Sequence, residues 1–392
     1  GGLDSAPMLA KIFQEFAEIS CLRLNLPKTV IVPLHLQDHR MVAQTLHAIA
    51  PSWVGIRIAG AAKYLGFYLG PQRGHLTTQQ PVAKYLRRAQ DWGGTPSGLF
   101  LASAAYSVYV LPVLAFVLQL DELPPGWEEH EAVALRRLAT GPGQWCQPQD
   151  LRHLKSFGMP KDFASPAQVA LAAKLRVATY EAAAAGGLQV DEKAHQLRSW
   201  ITGTTQELGR LQEWLTPWLE RAFVFQLERA AADFAAKQVT PASIQAQIAG
   251  DTPREQWDTA VHKRIRQRFQ ATARSHLVEL SPQQLHNRLR DRLARWEVNV
   301  FPGIRAHRAR EVLQVLHRCL PPRAIAAFWK TLWNAWVTDR RMQEPAASCR
   351  GCIFGCDTPG GGAIEHYASC RRVSDFAWRS FRLPRAPCPA TR

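Results

Sequence analysis

The chain has 392 residues, of which 46% are hydrophobic and 20% are charged, a composition that indicates a globular protein of about two to three domains with a sizeable core. Lysine and arginine outnumber the acidic residues by 48 to 32, and the resulting net charge of +16 favours a polyanionic partner, nucleic acid first and an anionic membrane second. The alternative is a solvated surface that has no particular partner.

The eight cysteines are unevenly distributed. Three are scattered, and five fall within the last 44 residues: Cys349, Cys352, Cys356, Cys370 and Cys388. A secreted disulfide scaffold is usually shorter and more evenly supplied with cysteine. The distribution therefore predicts an intracellular, reducing compartment, the nucleus or the cytoplasm, and one local metal site. The chain begins with Gly1 and shows no basic-then-apolar leader, so we expect a fragment of a longer protein.

The first 75 residues combine helix and strand patterns. Residues 8–21 and 42–50 carry apolar side chains at helical spacing, whereas residues 22–34 have the alternation of a strand. Residues 56–71 (IRIAGAAKYLGFYLGP) predict a β-hairpin with small residues at its bend. We therefore expect a small α+β part at this end of the chain.

From about residue 79 onwards the chain predicts helices separated by proline and glycine. The stretch Leu99–Leu120 is long enough to span a bilayer. Pro112 interrupts it, and Ser103 and Ser107 make it less apolar than a typical span. A buried pair of helices is therefore predicted, with a membrane span as the alternative.

A metal-ligand pattern, Cys352-x3-Cys356-x9-His366-x3-Cys370, lies near the end of the chain. Zinc prefers thiolate and imidazole ligands in a tetrahedron, and the histidine and last cysteine are one helical turn apart. We predict one structural zinc site, because four protein ligands leave no open position for water. Cys349 is a possible replacement for Cys352 or Cys356, and buried thiols without metal are the alternative.

Residues 254–341 are strongly basic, with 18 Lys/Arg against 7 Asp/Glu, so that +11 of the net +16 lies in under a quarter of the chain. The planar guanidinium of arginine suits phosphate oxygens and base edges, which favours nucleic-acid contact over a merely solvated face. The basic residues form three clusters: Lys263, Arg264, Arg266 and Arg268; Arg288, Arg290, Arg292 and Arg295; Arg305, Arg308 and Arg310.

Three tryptophans, Trp329, Trp333 and Trp336, recur at positions i, i+4 and i+7. This spacing predicts that they share one face of a helix. Core packing is the predicted role of this face, and stacking on nucleic-acid bases is the alternative.

Four segments follow one another along the chain: FAEISCLRLNLPKTVIVPL (16–34), AAKYLGFYLGP (61–71), FWKTLWNAW (328–336) and CIFGC…IEHYASC (352–370). Together they resemble the C-terminal part of reverse transcriptases from non-LTR retrotransposons, particularly those of dinoflagellates. The first segment resembles the helix-then-strand segment after the catalytic Asp-Asp turn, the second the primer-grip hairpin, and the last the terminal Cys-Cys-His-Cys motif.

The resemblance implies a mainly α fold with a small α+β N-terminal part. The implied domains are the end of the palm with the primer-grip hairpin (1–75), a thumb-like helical domain (76–185), a basic helical connector (186–345) and a zinc knuckle (346–374). The composition of the last residues, PRAPCPATR, predicts a disordered tail, which we assign to residues 375–392.

The resemblance also assigns roles to individual residues. Lys28, in the Asn-x-x-Lys pattern that starts at Asn25, becomes a candidate to protonate the leaving pyrophosphate, and a lysine at a strand start is the alternative. The resemblance favours Cys352 and Cys356 over Cys349 as zinc ligands. The implied primer grip, for which ordinary hairpin packing is the alternative, consists of Lys63, Tyr64, Leu65 and Gly66.

The sequence contains no Asp-Asp pair, and a polymerase needs paired aspartates to bind two Mg²⁺ ions. We therefore expect an RNA-directed DNA polymerase fragment that is inactive alone, with structural Zn²⁺ here and Mg²⁺ only in the full-length enzyme. Its expected partners are an RNA template and an RNA–DNA hybrid or target DNA, without a small-molecule substrate. The alternatives are a stand-alone zinc-containing nucleic-acid-binding protein derived from a retrotransposon and, third, a membrane-associated protein.

Overall fold

The computed structural model describes residues 3–33, 38–95, 98–184, 195–196, 198–199, 223–249, 259–277, 280–294, 302–316, 318–342, 351–356 and 362–382. In this part of the chain the protein is mainly helical with two small sheets, which confirms the mainly α prediction. Two compact units are formed, one from Gly1–Ala83, Phe116–Pro124 and Ala170–Gln270, the other from Lys84–Ala115, Pro125–Val169 and Ala271–Arg392. Each unit draws on several predicted domains, whose boundaries stay predictions.

A small core joins helices α1 (Ala6–Ser20) and α2 (His39–Ile49) of the first unit. The Asp38 carboxylate begins α2 by accepting a hydrogen bond from the Arg40 N–H at 2.9 Å, which satisfies a donor that has no partner within the helix. The apolar periodicity predicts both helices, and the structure confirms them. The buried residues of this core are Ala6, Leu46 and Ala50.

The described strands of the first unit form two separate pairs rather than one long hairpin. Strand β1 (Val30–Ile31) pairs in parallel with β2 (Arg57–Ile58), and β3 (Ala62–Tyr64) pairs antiparallel with β4 (Phe67–Leu69). The predicted hairpin over residues 56–71 is therefore too long, because residues 57–58 belong to the parallel pair.

The bend of the hairpin also differs from the prediction. It lies at Leu65 and Gly66, whose φ angles are 47° and 96°, and not at the small residues 59–62. Two successive positive φ angles match the right-handed twist of the flanking strands. Glycine adopts this conformation freely, whereas leucine pays roughly 1–2 kcal/mol for it.

Helix α3 (Leu76–Gly93) precedes α4 (Gly98–Ala105), which continues through a π-helical turn (Tyr106–Val110) into α5 (Pro112–Ala115). The Leu111 N–H donates to the Tyr106 carbonyl five residues earlier, at 2.9 Å. This wider turn accommodates Pro112, which has no N–H. Among the described helices, the segment Gly98–Ala115 alone is long and apolar enough to cross a membrane, and 44% of it is buried within the protein.

Proline often occupies the first turn of the remaining helices, where its missing N–H costs nothing and its fixed φ suits the helix. These helices are α6 (Trp127–Leu138), α7 (Pro148–Leu151), α8 (Pro166–Ala184), α9 (Phe223–Ala235), α10 (Pro241–Ala249), α11 (Thr259–His276), α12 (Pro282–Leu293), α13 (Pro302–Leu316), α14 (Pro322–Leu332), α15 (Asp339–Met342), α16 (Ile364–Ser369) and α17 (Arg371–Phe381).

Aromatic side chains form the core of the second unit. Trp329 and Trp333 are fully buried and stack with ring centroids 4.3 Å apart and an interplanar angle of 11°. Trp145 meets Trp329 edge-on at 5.3 Å, and Phe157 meets Trp333 edge-on at 5.1 Å. The core role predicted for the tryptophans is confirmed for these two.

Trp336 does not share their helix face. Helix α14 ends at Leu332, and Asn334 takes the left-handed conformation (φ 52°) that closes a helix C-terminus. The Ala335 N–H donates to the Lys330 carbonyl at 2.8 Å, so the chain turns away before it reaches Trp336. That residue is exposed, and the prediction of one shared face is wrong for it.

Helix α17 continues through residues that the sequence assigns to a disordered tail. It runs from Arg371 to Phe381, so the tail prediction is wrong for residues 375–381. The proline-rich composition behind that prediction begins only at Pro384, and residues 383–392 lie outside the described part of the chain.

Gly158 offers a test of the packing in the second unit. Its φ is +80°, and a Cβ atom there would lie 2.2 Å from the Leu313 carbonyl oxygen in α13. Gly126 has a similar φ of +72°, but a Cβ there meets nothing within 4 Å. Gly158→Ala should therefore lower the free energy of unfolding by about 2–4 kcal/mol, and Gly126→Ala by about 1 kcal/mol, in denaturant titrations. Equal losses would contradict the close contact between Gly158 and α13.

Candidate metal centre and nucleic-acid interface

A tight turn brings the first two metal-ligand candidates together. The Gly355 N–H donates to the Cys352 carbonyl at 2.9 Å, which closes a four-residue turn just before Cys356. Gly355 has a φ of +71° and Gly351 a φ of +65°. Both glycines therefore hold a conformation that other residues adopt only with strain. This local geometry explains the glycines on either side of Cys352.

The other two candidates lie on either side of a helix junction. His366 is in α16, and Cys370 ends this helix and begins α17. The prediction that these two residues are one helical turn apart is confirmed. The Cys370 carbonyl accepts a hydrogen bond from the Ser374 N–H at 2.8 Å. The first turn of α17 is thus attached directly to a candidate ligand residue.

The four candidate ligand atoms converge: the Sγ atoms of Cys352, Cys356 and Cys370 and a ring nitrogen of His366 all lie within 4.8 Å of one another. Such a group could hold a metal ion. The Cys352 and Cys370 Sγ atoms are 3.6 Å apart, close to the edge of about 3.8 Å that a tetrahedron with Zn–S bonds of about 2.3 Å requires. The Cys356 Sγ to His366 Nε2 distance is 2.9 Å, whereas a tetrahedral zinc site requires about 3.6 Å between sulfur and nitrogen. This pair would therefore separate by about 0.7 Å around an ion.

Burial also favours a cation at this position. Cys352 and Cys370 are buried, and Cys356 and His366 are half-buried. Burial raises the pKa of the Cys370 thiol, because a low-dielectric environment disfavours an isolated thiolate. A metal ion supplies the positive charge that such a thiolate needs. Because the four ligands enclose the ion position, the group fits a structural metal better than a catalytic one.

The metal-ligand group has aromatic and acidic neighbours. Phe354, between the first two cysteines, meets the Tyr367 ring edge-on at 5.4 Å. Gly362 lies against the first residue of α15, since a Cβ there would come within 2.8 Å of Asp339. The close approach requires glycine at this position. Cys349, the uncertain fifth candidate, lies outside the described residues.

The structure describes the side chains of only part of the predicted basic surface. Arg268 on α11 and Arg308 on α13 are exposed, as a nucleic-acid contact requires. Arg290 is exposed on α12, and its guanidinium lies 3.1 Å from Asp291. Arg295 lies outside the described residues. Four further candidates belong to α11 or α13, but their side chains are outside the described part of the structure: Lys263, Arg264, Arg266 and Arg305.

Arg288, by contrast, points into the fold. Its Nη1 atom lies 3.2 Å from Oδ1 of Asp150, whose side chain is only 1% exposed. The two groups form an ion pair, but their geometry is not that of a hydrogen bond. The guanidinium also donates to the side-chain amides of Gln147 and Gln149. Removing one partner of a buried ion pair is strongly destabilising. Arg288 therefore has a structural role. Arg292, one helical turn further along α12, is half-buried.

Lys28 lies at the end of a short 3₁₀ turn (Leu26–Lys28), two residues before β1. The Asn25 side chain accepts a hydrogen bond from the Lys28 N–H at 3.1 Å. The Asn25 carbonyl accepts hydrogen bonds from the Thr29 N–H and hydroxyl. Asn25 therefore caps this turn through the backbone N–H of residue 28, a contact that does not depend on the lysine side chain. The Lys28 side chain itself is exposed.

The candidate primer-grip residues lie at the tip of the β3–β4 hairpin. Tyr64 is 63% exposed and Leu65 is 75% exposed, so neither is held by packing. Lys63 donates to the Gln80 side chain at 3.3 Å. A Cβ on Gly66 would lie 3.2 Å from the Phe116 ring. At the tip, the side chains of Tyr64 and Leu65 are therefore open to solvent, whereas Gly66 lies against Phe116.

The sequence interpretation missed the basic and aromatic residues of α17. Arginines and aromatic residues recur in RRVSDFAWRSF at the spacing of an amphipathic helix, and this periodicity could have predicted the helix. The prediction of a disordered tail instead followed the proline-rich residues after it.

No protein-family model matches the chain, and no curated protein or solved structure matches it either.

The metal group predicts the effect of single ligand substitutions. Replacing Cys352, His366 or Cys370 with serine or alanine should reduce the bound metal from about one to near zero per chain, because three ligands close a structural site poorly. Metal analysis of the purified, reduced protein measures this ratio.

Cys319→Ser provides the matched control, since Cys319 is an exposed free cysteine away from the group, and it should leave the metal content unchanged. Cys349→Ser should leave it unchanged as well. A metal-free wild-type protein, or full retention by Cys370→Ser, would contradict the assignment.

Proposed function

We propose that this chain is a nucleic-acid-binding protein with a structural zinc ion held by Cys352, Cys356, His366 and Cys370. The observation that carries the proposal is the convergence of these four side chains immediately after the most basic part of the sequence. Three thiolates and one imidazole are a ligand set that zinc prefers among abundant divalent ions. The zinc ion would stabilise the local fold and leave no coordination position for a substrate.

Nucleic acid is the partner that the charge distribution supports best. Arg290 and Arg308 are exposed on α12 and α13, and exposed arginines can contact phosphate oxygens. Among the described residues of α12 and α13, the acidic side chains are Asp291 and Glu311, so the positive charge is only partly compensated. An intracellular location, in the nucleus or cytoplasm, is part of this proposal.

More specifically, we propose that the chain is part of an RNA-directed DNA polymerase of the non-LTR retrotransposon type. Support comes from the order of the four sequence segments and from the solvent-exposed hairpin tip. Leucine at position 65 is costly in a left-handed turn and is not compensated by burial. A contact between this tip and a primer strand would account for it. The partners would be an RNA template and an RNA–DNA hybrid or target DNA.

Catalysis would depend on groups that this sequence does not supply. Polymerases use paired aspartates to hold two Mg²⁺ ions, and the chain contains no adjacent aspartates. The exposed Lys28 would act only when a polymerase centre is assembled next to it.

Charge reversal tests the proposed nucleic-acid surface. Arg290→Glu with Arg308→Glu should weaken binding to a labelled oligonucleotide and reduce the salt slope, log K against log salt concentration, by about 0.7–0.9 per lost phosphate contact. Fluorescence anisotropy at several salt concentrations measures both quantities. Arg288 is excluded from the design because its ion pair with Asp150 is structural.

The control reverses the charge of two exposed lysines outside the basic region, Lys11→Glu with Lys84→Glu. It changes the net charge by the same amount as the test variant. Binding should change little in this control. Equal losses in the two double variants would show that the effect depends on overall charge, and would contradict a defined surface on α12 and α13.

Primer extension tests the polymerase proposal. With an RNA template, a DNA primer and deoxynucleotides, the isolated chain should show no Mg²⁺-dependent synthesis, because it lacks paired aspartates. Gel analysis of the primer measures the product. Robust Mg²⁺-dependent extension would contradict our assignment of catalysis to residues outside this chain.

A further inference from the structure

Helix α17 (Arg371–Phe381) is amphipathic, and its apolar face carries exposed aromatic side chains. None of its described residues is buried. Phe376 is 62% exposed and Phe381 is 66% exposed, and Trp378 is also exposed. Exposed aromatic rings are costly in water, so their concentration within two helical turns indicates a binding surface.

The opposite side of α17 is basic. At 100° per residue, Arg371, Arg372 and Arg379 lie on one side and Val373, Phe376 and Phe381 on the other. Asp375, the one acidic residue of the helix, lies 4.0 Å from Arg371. The Arg382 guanidinium lies over the Trp378 ring, 6.0 Å from its centroid, so positive charge also borders the aromatic face.

The first turn of α17 is tied to the metal-ligand group. Cys370 is the N-terminal cap residue of the helix, and its carbonyl accepts the hydrogen bond from the Ser374 N–H at 2.8 Å. None of the described residues of the helix is buried, so little apolar packing stabilises it. An isolated helix of about 11 residues is marginal in water. Loss of the ion from Cys370 would therefore weaken the helix itself.

From these features we infer that the aromatic face of α17 binds single-stranded RNA or DNA by stacking on its bases, and that the metal ion maintains this helix. The inference rests on the proposed nucleic-acid-binding function and adds the strand type and the contact residues. Phe376 and Phe381 are the stacking residues, and Arg372 and Arg379, which border Phe376 on the helix surface, contact the phosphates.

Single strands fit this surface better than duplexes. In a duplex the faces of the bases are covered by their neighbours, whereas in a single strand they can stack on aromatic side chains without regard to sequence. Phe376 and Phe381 already form an edge-to-face pair with centroids 6.0 Å apart, so two bases can occupy adjacent positions. A lipid surface is the competing partner, because amphipathic helices with basic and aromatic residues also bind membranes.

The test replaces both phenylalanines of α17 with leucine, Phe376→Leu with Phe381→Leu, in the zinc-loaded full chain. Leucine keeps an apolar side chain and the helix but removes the ring. Affinity for a labelled single-stranded oligonucleotide should fall about tenfold or more, and the salt slope should stay the same because the arginines remain. The control is Phe16→Leu with Phe328→Leu, two exposed phenylalanines outside α17, which should retain wild-type affinity.

Three outcomes separate this inference from the proposed function. If no oligonucleotide binds at any salt concentration, the proposed function itself fails. If binding is salt-dependent but the α17 variant matches the wild type, or if affinity for a duplex falls as much as affinity for a single strand, the stacking inference alone is wrong. If the α17 variant keeps its oligonucleotide affinity and the wild type floats with phosphatidylserine vesicles, the face binds lipid and the inference is overturned.

Metal removal tests the coupling between the ion and the helix. In chelator-treated protein the wild type and the α17 leucine variant should bind the single strand with equal affinity, because the helix that distinguishes them is no longer maintained. An undiminished difference after metal removal would show that α17 persists without the ion, and would overturn this part of the inference.

Discussion

Convergence of four ligands is the constraint on which the C-terminal part of this protein depends. In residues 351–356 and 362–382, the buried positions described are Cys352, Gly362, Ala363, Ile364 and Cys370, and so small an apolar core cannot offset the entropy of ordering this segment. Structural zinc ions contribute about 10–16 kcal/mol to the folding of comparable small peptides. A metal ion would therefore determine whether the turn at Cys352, the junction at Cys370 and the helix that begins there exist at all.

The positive charge of the chain has two distinct uses. Arg288 stabilises the fold by pairing with a buried carboxylate, and Lys330 reaches the Thr140 carbonyl at 2.8 Å beside the tryptophan core. Arg308 instead remains exposed on α13. A count of charges along the sequence cannot separate these uses, because α12 places Arg288 and Arg290 on different sides of one helix. The nucleic-acid surface we propose is consequently smaller than the basic region as a whole.

Periodicity and ligand chemistry predicted much of the fold and the metal group. The apolar spacing of α1 and α2, the burial of Trp329 and Trp333, and the pairing of His366 with Cys370 follow from local rules. The position of the bend at Leu65–Gly66 could not be predicted in this way, because the small residues 59–62 are the more usual turn formers. The parallel pairing of β1 with β2 depends on contacts distant in sequence. Trp336 was misplaced because Asn334 ends α14 by a backbone conformation that the tryptophan spacing conceals.

X-ray absorption spectroscopy at the zinc edge of the purified chain tests the central claim most directly, because it counts the sulfur and nitrogen atoms around the ion. The account predicts three sulfur atoms at about 2.3 Å and one nitrogen at about 2.0–2.1 Å, without bound water. A zinc ion with fewer than three sulfur neighbours, or with oxygen atoms in its coordination sphere, would contradict a closed site formed by Cys352, Cys356, His366 and Cys370.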